Sequence, residues 1–280
     1  MKIIHTADIH LGSKMDSRFN REISNERKIE LRNTFKRLVE YAKANKVSVI
    51  MLCGDIFDSD KPYKKDKDFF YSIIDNTPEI DFLYLKGNHD TDDKHSEVVP
   101  ENLKLFSDKW SSYSYGNVVI SGTEICASNV SSYPSSLLLS KNSLNIVMLH
   151  GQIGENTSNG DIILKKLKNK YIDYLALGHI HKPSEGKVDE RGIYVYCGCL
   201  EGRGFDESGE RGFVLIDAEG DKITHKFIPF AQRQINELSV DVSGCKNAYE
   251  AYIKVNGSVK FSKRDFYRVN LIGEVDFDVD

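Results

Sequence analysis

Residues 174–181 read YLALGHIH, an apolar run that ends in a glycine and then in two histidines. A continuous apolar run of this kind is typical of a strand covered on both faces. On an extended chain, His179 and His181 point to the same side, about 6–7 Å apart. An isolated pair of this kind is more often two solvated imidazoles in a turn. The rest of the chain decides between these interpretations.

Four more apolar runs end in the same way. They cover residues 3–4, 47–52, 82–85 and 146–149. The polar residues that follow them are Asp8 and His10, then Asp55, then Asn88 and His89, and finally His150. Ligands in open α/β sheets collect outside the carboxyl ends of the strands. We therefore expect these side chains to meet at one rim.

The predicted rim carries oxygen and nitrogen donors but no cysteine. Such donors suit Mn²⁺, Fe²⁺ or Zn²⁺, and the absence of thiolates argues against a closed structural zinc site. Seven donors are too many for one open tetrahedral site. They suit two ions about 3.5–4 Å apart that share a carboxylate, an arrangement used for attack at phosphorus. The donors are Asp8, His10, Asp55, Asn88, His150, His179 and His181.

Helical patterns separate the apolar runs. Apolar residues at helical spacing between positions 29 and 42 predict an amphipathic helix with Ser24 or Asn25 as its N-cap. Further helices are predicted over residues 66–75 and 160–167. Strands separated by helices predict an α/β sandwich. Later strand patterns cover 193–196, 213–216 and 223–228, with a turn at 219–221.

Pro229 marks a domain boundary in this interpretation. Residues 1–228 form the main domain, and residues 229–280 form a small or truncated α+β appendage. Strand patterns at 238–242 and 267–271 flank a helix near 246–255.

The composition is that of a globular protein. Of the 280 residues, 40% are hydrophobic and 29% are charged, and no apolar run is long enough to cross a bilayer. The N-terminus has no signal-peptide pattern, so we expect a cytoplasmic location. The odd number of five cysteines fits a reducing compartment. Cys197 and Cys199 could suit a metal, but small buried hydrophobes are the better interpretation.

The net charge of −4 gives no global signal for nucleic acid, although it does not exclude a local basic surface. Basic residues after the first motif could meet a phosphate backbone. They are Lys14, Arg18, Arg21, Arg27, Lys28 and Arg32. The alternative is a solvated helix face, because Glu22, Glu26 and Glu30 lie among them.

Five motifs occur in order, each after a predicted strand: D-x-H, G-D, G-N-H-D, H-G and G-H-x-H. Over roughly residues 1–228 the chain resembles the calcineurin-like metallophosphoesterases. The resemblance implies a four-layer α/β/β/α sandwich with a binuclear metal site. It implies that the first ion is held by Asp8, His10, Asp55 and His181, and that Asp55 bridges to a second ion held by Asn88, His150 and His179.

The resemblance also implies a catalytic group that is not a ligand. His89 would lie above the ions and stabilise or protonate the leaving oxygen. Asp58 stands where relatives place the residue that orients such a histidine, and Asp90 is the other candidate. The remaining histidines, His5, His95 and His225, fit no motif and are expected to be ordinary residues.

Within the superfamily, residues 6–12 (TADIHLG), 54–58 (GDIFD), 87–90 (GNHD), 202–205 (GRGF) and 209–213 (GERGF) resemble the SbcD-type DNA repair nucleases. The D-R-G phosphate clamp of protein phosphatases is missing, since the chain reads GDIFDS. The resemblance implies a manganese-dependent DNA exonuclease or endonuclease that works with an SbcC-type ATPase. Relatives bind that ATPase through a longer C-terminal region than residues 230–280.

Two other functions stay open at this point. The chain could be a phosphodiesterase for small nucleotides, which a closed pocket beside the metals would favour. It could also be a non-catalytic metal-binding scaffold, although the presence of every ligand together with His89 argues against this. The sequence leaves open the metal in the cell, the polarity of cleavage and the oligomeric state, a homodimer included.

Overall fold

The computed structural model describes residues 1–15, 20–59, 61–90, 99–155 and 162–277 of the chain. Strands and helices follow one another much as the apolar runs predict. In chain order they are β1 (Lys2–Thr6), α1 (Arg21–Ala44), β2 (Val47–Cys53), α2 (Lys64–Asp75), β3 (Asp81–Leu85), β4 (Leu103–Leu105), β5 (Ser111–Tyr115), β6 (Val118–Gly122), α3 (Tyr133–Ser136), β7 (Leu144–His150), α4 (Leu164–Leu167), β8 (Tyr174–Gly178), β9 (Ser184–Lys187), β10 (Ile193–Tyr196), β11 (Gly212–Glu219), β12 (Lys222–Pro229), β13 (Ile235–Asp241), α5 (Ala248–Ser258) and β14 (Phe266–Ile272).

The strands form two six-stranded sheets and one two-stranded sheet. The first sheet has the order β12-β11-β1-β2-β3-β4, and the second has the order β5-β6-β7-β8-β10-β9. Strands β1 to β4 are parallel, as are β6, β7, β8 and β10. In these two sheets, β5, β9, β11 and β12 pair antiparallel with their neighbours. The carboxyl ends of the parallel strands therefore lie together in each sheet.

Alternate residues of the central strands face different hydrophobic clusters. On β2, Val49 and Met51 pack between the two sheets, whereas Ile50 and Leu52 pack in a cluster with residues of α1 and α2. Strands β7 and β8 alternate between the inner cluster and an outer cluster that includes residues of α3 and α4. Burial on both faces explains why the apolar runs are continuous. The predicted four-layer α/β/β/α sandwich is confirmed.

Two helices differ from the sequence prediction. The N-cap of α1 is Asn20, whose side-chain oxygen accepts a hydrogen bond from the first turn at 2.9 Å. The predicted N-caps, Ser24 and Asn25, lie inside the helix, so that prediction was wrong. Of the helix predicted over residues 160–167, the part Leu164–Leu167 is helical, and its first two residues lie outside the described chain.

The residues after β12 form a small α+β module. Strands β13 and β14 pair in parallel, α5 connects them, and Val240, Val242 and Ala251 are buried between them. The guanidinium of Arg233, just before β13, donates to Glu30 on α1 at 2.7 Å. The division into domains 1–228 and 229–280 stays a prediction. Within the described ranges, no helix has the length and apolar character needed to cross a membrane.

Candidate metal centre

The predicted donors lie where strands of the two large sheets end. The first sheet supplies Asp8 and His10 after β1, Asp55 after β2 and Asn88 after β3, and the second supplies His150 at the end of β7 and His179 and His181 after β8. The backbone N–H of Asp8 donates to the carbonyl of Gly54 at 3.0 Å. The loops that follow β1 and β2 therefore run side by side.

The backbone is strained at these loops. Left-handed conformations occur at Asp8 (φ 51°), His10 (φ 51°), Asp55 (φ 51°) and His179 (φ 98°). For a residue with a Cβ atom, such a conformation costs about 1–2 kcal/mol. It persists where the surroundings hold it, and such residues cluster at functional sites. Four of the seven predicted donors thus share a costly backbone geometry.

Two glycines of the motifs are required by close approach between the sheets. A Cβ at Gly54 would overlap the ring of His150, and a Cβ at Gly178 would overlap the carbonyl of Cys53. Each contact joins the first sheet to the second. The glycines of the G-D and G-H-x-H motifs therefore let donors from both sheets meet.

The first donor group consists of Asp8, His10 and His181, whose ligand atoms all lie within 4.8 Å of one another. The two Nε2 atoms of His10 and His181 lie 3.2 Å apart, and Oδ1 of Asp8 lies 3.9 Å from Nε2 of His181. Nδ1 of His10 lies 3.0 Å from Asp58, and Nδ1 of His181 lies 2.6 Å from Glu207. A carboxylate oxygen beside each Nδ1 favours a proton on that nitrogen, although Nδ1 of His10 makes no aligned hydrogen bond. This tautomer leaves the lone pair of each Nε2 facing the group.

The second donor group consists of Asp55, His150 and His179, again with ligand atoms within 4.8 Å of one another. Oδ1 of Asn88 lies 3.1 Å from both Nε2 of His150 and Nδ1 of His179. Nδ1 of His150 donates to the backbone carbonyl of Cys53 at 2.9 Å. A main-chain carbonyl thus orients His150, whereas side-chain carboxylates orient the first group.

Burial and mutual charge determine the protonation of these groups. Burial raises the pKa of Asp8 to about 7, although His150 and His181 oppose it. Burial alone would also raise the pKa of Asp55, but the hydrogen bond and charge of His150 hold it well below its usual range. Conversely, burial alone would lower the pKa of His150, and Asp55 and Asp8 raise it to about 9. Without a cation, a proton on His150 balances the charge of Asp55.

The geometry fits divalent cations. In the first group, two imidazole lone pairs face each other beside a buried carboxylate, and a cation satisfies all three acceptors at once. The donors are oxygen and nitrogen atoms of the kind that Mn²⁺, Fe²⁺ and Zn²⁺ accept. The structure therefore brings the seven predicted donors together into two adjacent groups that could hold two ions.

A third cluster joins His181, Cys199 and Glu207, but it shares His181 with the first group. Burial raises the pKa of the Cys199 thiol well above its usual value in the metal-free protein. Cys197 and Cys199 are both fully buried, which confirms their interpretation as small buried hydrophobes.

His89 lies beside the groups and is exposed. Its backbone N–H donates to Oδ1 of Asp55 at 2.9 Å, and its ring centroid lies 5.3 Å from that of His10. Asp58 contacts His10 rather than His89, and it accepts from Arg203 at 2.7 Å. Asp90 accepts from the backbone N–H groups of residues 56, 57 and 87. The orienting role predicted for Asp58 therefore has no direct contact to support it.

The sequence prediction missed the side chains that support the first group. Glu207 lies in none of the motifs, and Arg203 lies in a motif to which no role was assigned. Arg203 donates to Asp58 at 2.7 Å and to Glu207 at 3.0 Å. The sequence signal for Arg203 was the stretch 202–205, which resembles a family motif. No chemical role was assigned to that motif.

A groove with basic side chains leads away from the metal centre. One cavity of about 780 Å³ extends from Asp58 past Lys14 and Lys61 to Tyr63. A second of about 490 Å³ shares Gly12, Lys14 and Tyr63 with it and continues along α1. The second cavity is also lined by Lys28, Ile29, Arg32 and Lys65.

The predicted basic surface is only partly present. Arg27 is fully buried and pairs with Glu30 and Glu201, so its predicted contact with phosphate was wrong. Lys14, Lys28 and Arg32 line the groove. Arg18 lies outside the described residues. Glu30 is buried as well, so the alternative of a fully solvated helix face does not hold either.

A family model described as calcineurin-like phosphoesterase matches residues 1–183. The DNA double-strand break repair protein Mre11 of Saccharolobus solfataricus is 27% identical over 79% of this chain and 61% of its own length. The chain thus spans about three fifths of that relative. A relative from Staphylococcus saprophyticus, named as the D component of the nuclease SbcCD, is 23% identical over 91% of this chain and 75% of its own length.

Solved structures share the fold. A dimetal phosphatase from Danio rerio superposes with a TM-score of 0.57 at 10% identity, over 81% of this chain and 95% of its own. The purple acid phosphatase PPD1 from yellow lupin gives a TM-score of 0.50 at 13% identity, over 78% of this chain and 49% of its own. At such identities the likeness concerns the architecture alone.

Proposed function

Because the chain belongs to the calcineurin-like phosphoesterase family, as its motifs predict, we propose that it is a metal-dependent nuclease that hydrolyses phosphodiester bonds in DNA. The observation that carries this proposal is the meeting of seven donors from two sheets in two adjacent groups. Two neighbouring cation sites are the arrangement that stabilises both the attacking and the leaving oxygen at phosphorus.

The ligand roles follow the two groups. We assign Asp8, His10 and His181 to the first ion and Asn88, His150 and His179 to the second. Asp55 belongs to the second group and lies 3.5 Å from Nε2 of His150, and it would bridge the two ions, as the family motifs imply. When bound, the two ions polarise the phosphoryl oxygens as Lewis acids. Manganese is the proposed metal, and iron and zinc suit the same donors.

His89 is assigned to the leaving group. Its ring is exposed at the edge of the centre, while its backbone is fixed by Asp55. An imidazole in that position can stabilise or protonate the leaving oxygen of a bound phosphodiester. Asp58 lies 3.0 Å from Nδ1 of His10, and the ring centroid of His10 lies 5.3 Å from that of His89, so any effect of Asp58 on His89 is proposed to pass through His10.

DNA is favoured as the substrate by the groove beside Asp58. Its lysines carry the positive charge that a phosphate backbone requires. Tyr63, which is 58% exposed, lies among them, and the ammonium of Lys65 is 5.5 Å from its ring centroid. Exposed aromatic rings among cations are typical of surfaces that bind nucleic acid strands. Relatives named as a DNA repair protein and as part of a nuclease support the same substrate.

Partner and location rest on the relatives. One relative is named as a component of an SbcCD nuclease, and we propose an SbcC-type ATPase as a partner of this chain and a cytoplasmic location. The module of β13, α5 and β14 is the proposed contact. Its helix exposes Tyr249, Tyr252 and Ile253.

The test is a Mn²⁺-supported assay on labelled duplex DNA, single-stranded DNA and bis-(p-nitrophenyl) phosphate. We expect cleavage of DNA, and a rate roughly 10²–10⁴-fold lower for His89→Ala. Metal content should stay at the wild-type value in that variant. His225→Ala, a histidine outside the motifs, is the matched control and should cleave normally.

Three outcomes would contradict parts of this proposal. Turnover of the small ester without DNA cleavage would make the protein a phosphodiesterase for small nucleotides. Two bound ions without any hydrolysis would leave a metal-binding scaffold. Full activity of His89→Ala would remove His89 from the reaction.

A further inference from the structure

Arg203 occupies a position that links the supports of both histidines in the first donor group. Its guanidinium donates to Oδ1 of Asp58 at 2.7 Å and to Oε1 of Glu207 at 3.0 Å. Its backbone N–H donates to the other oxygen of Glu207 at 2.6 Å. The side chain is 21% exposed, so solvent weakens these contacts only in part.

The two carboxylates in turn hold the ligand histidines. Asp58 lies 3.0 Å from Nδ1 of His10, and Glu207 lies 2.6 Å from Nδ1 of His181. A carboxylate beside Nδ1 favours the tautomer that carries its proton there, and this leaves Nε2 as the better ligand. Arg203 therefore holds Asp58 and Glu207, the two carboxylates beside the ligand histidines, at a fixed separation.

The loop that carries Arg203 is itself anchored. The buried carboxylate of Glu201 accepts from Arg27 at 3.1 Å and from the hydroxyl of Thr34 at 2.7 Å. Arg27 also donates to the carbonyl of Gly202 at 2.5 Å. These contacts hold the loop that carries Arg203 against α1.

The second donor group is held differently. Nδ1 of His150 donates to the carbonyl of Cys53, and Oδ1 of Asn88 lies between His150 and His179. These contacts connect the second group to the end of β2 and to the loop after β3, and Arg203 takes no part in them. Removal of the guanidinium should therefore disturb one ion and spare the other.

We infer that Arg203 is a positioning residue for the first metal ion, acting through Asp58 and Glu207 on His10 and His181. The fork of the guanidinium is essential, because a lysine ammonium is a point charge that cannot hold two carboxylates in a fixed plane. The inference rests on the proposed function only in that the two groups hold metal ions.

The test compares Arg203→Gln and Arg203→Lys with Arg191→Gln and Arg191→Lys. Arg191 also forks onto a carboxylate, with two contacts of 2.9 Å to Asp173, but it lies outside the donor groups. Mn²⁺ titration followed by electron paramagnetic resonance counts the ions. We expect one ion to bind roughly 10–100-fold more weakly in both Arg203 variants, with the other unchanged. The Arg191 variants should bind both ions normally.

A second readout needs no metal. In the metal-free protein at fixed pH, nitrogen-15 NMR reports the tautomer of each imidazole. We expect the His10 and His181 signals to change in Arg203→Gln, and those of His150 and His179 to stay. A thermal unfolding midpoint equal to that of Arg191→Gln would show that the fold is intact.

Equal weakening of both ions, or wild-type binding of both in Arg203→Lys, would overturn the inference. So would equal changes at all four imidazoles. If the wild type binds two ions but cleaves no ester, the proposed function fails while the positioning role stands. Fewer than two ions in the wild type would overturn the ligand assignment and this inference together.

Discussion

The two halves of the metal centre are built from similar ligands but are supported by different means. In the second group, the ring of His150 is oriented by the main-chain carbonyl of Cys53 at the end of β2. In the first group, the carboxylates of Asp58 and Glu207 lie beside Nδ1 of His10 and His181. One half therefore depends on strand pairing, and the other depends on side chains from distant loops.

This difference shows where tolerance to mutation should lie. A carbonyl at a strand end is fixed by the hydrogen bonds of the sheet, and no single side-chain replacement removes it. A carboxylate on a loop is removed by one substitution. We therefore expect mutations outside the ligands to affect the first group selectively, and mutations in strand-end glycines to affect the second.

Asp55, the proposed bridge between the two halves, gives the largest expected effect. Asp55→Asn should deplete both ions and lower hydrolysis roughly 10³-fold, because it removes several kcal/mol of charge stabilisation. Asp8→Asn should deplete the first ion alone. Metal content after dialysis, measured by mass spectrometry, distinguishes the two variants. Two tightly held ions in Asp55→Asn would contradict the bridging role.

A glycine substitution should disturb the second donor group, in which the main chain orients His150. Gly54 has φ 88°, and a Cβ there would overlap His150 and approach Cα of Gly87 at 2.9 Å. Gly54→Ala should lower the free energy of unfolding by about 3 kcal/mol.

The matched control for this change is Gly116→Ala. Gly116 has φ 65° but no heavy atom within 4 Å of its added Cβ. The Gly116→Ala substitution should lower the free energy of unfolding by about 1 kcal/mol, through backbone strain alone. Urea unfolding of the metal-free proteins measures both changes. Equal losses would show that close approach at Gly54 is not limiting.

A change of pH tests a contact between the two sheets that carry both donor groups. His5 on β1 is fully buried, with Nδ1 at 3.0 Å from the Tyr174 hydroxyl and Nε2 at 3.2 Å from the Leu177 carbonyl. It thus joins the first sheet to β8. Burial lowers the pKa of His5 to about 3 from the ordinary 6.5, so the unfolded chain takes up the proton first as the pH falls. Stability is therefore lost between pH 6.5 and 3.

We expect protonation of this one histidine in the unfolded chain to lower the free energy of unfolding by about 2 kcal/mol between pH 7 and pH 5. Urea unfolding with chelator at both pH values checks the number. In His5→Asn the difference between the two pH values should shrink by that amount, even though the variant is less stable overall. An unchanged difference would show that His5 is not the group responsible.

The smallest effect is expected from a single support of the first half. Glu207→Gln keeps an acceptor for His181 but loses the charge, and it should weaken binding of one ion about tenfold. Glu185→Gln is its control, because Glu185 lies 2.7 Å from Nε2 of His225, away from the donor groups. Calorimetric titration with Mn²⁺ measures both. If binding of the second ion weakens by the same factor in Glu207→Gln, the two donor groups are not supported independently.

The parts of this molecule that the sequence predicts are those with strong local signals. Continuous apolar runs predict the strands because both faces of each sheet are covered, as for Ile50 and Met51 on β2. The donors could be predicted because each follows such a run. The metal roles given to them from the family motifs stay predictions, although the geometry brings the donors together.

The parts that could not be predicted depend on contacts between distant residues. Arg27 has the pattern of a surface helix residue, and only the fold shows that Glu201 on a later loop buries it. Glu207 lies 26 positions after His181 in the chain, so nothing local links them. The N-cap is Asn20 rather than the predicted Ser24 or Asn25, because the helix begins before its apolar stripe does.

Each donor group takes ligands from both large sheets: Asp8 and His10 face His181, and Asp55 faces His150 and His179. Bound ions are therefore cross-links between the two halves of the sandwich. By mass action, an ion at a hundred times its dissociation constant adds about 2.7 kcal/mol per site to the folded state. We therefore expect the supply of metal to change the stability of the folded chain as well as the rate of the proposed reaction, and chelation should lower its melting temperature.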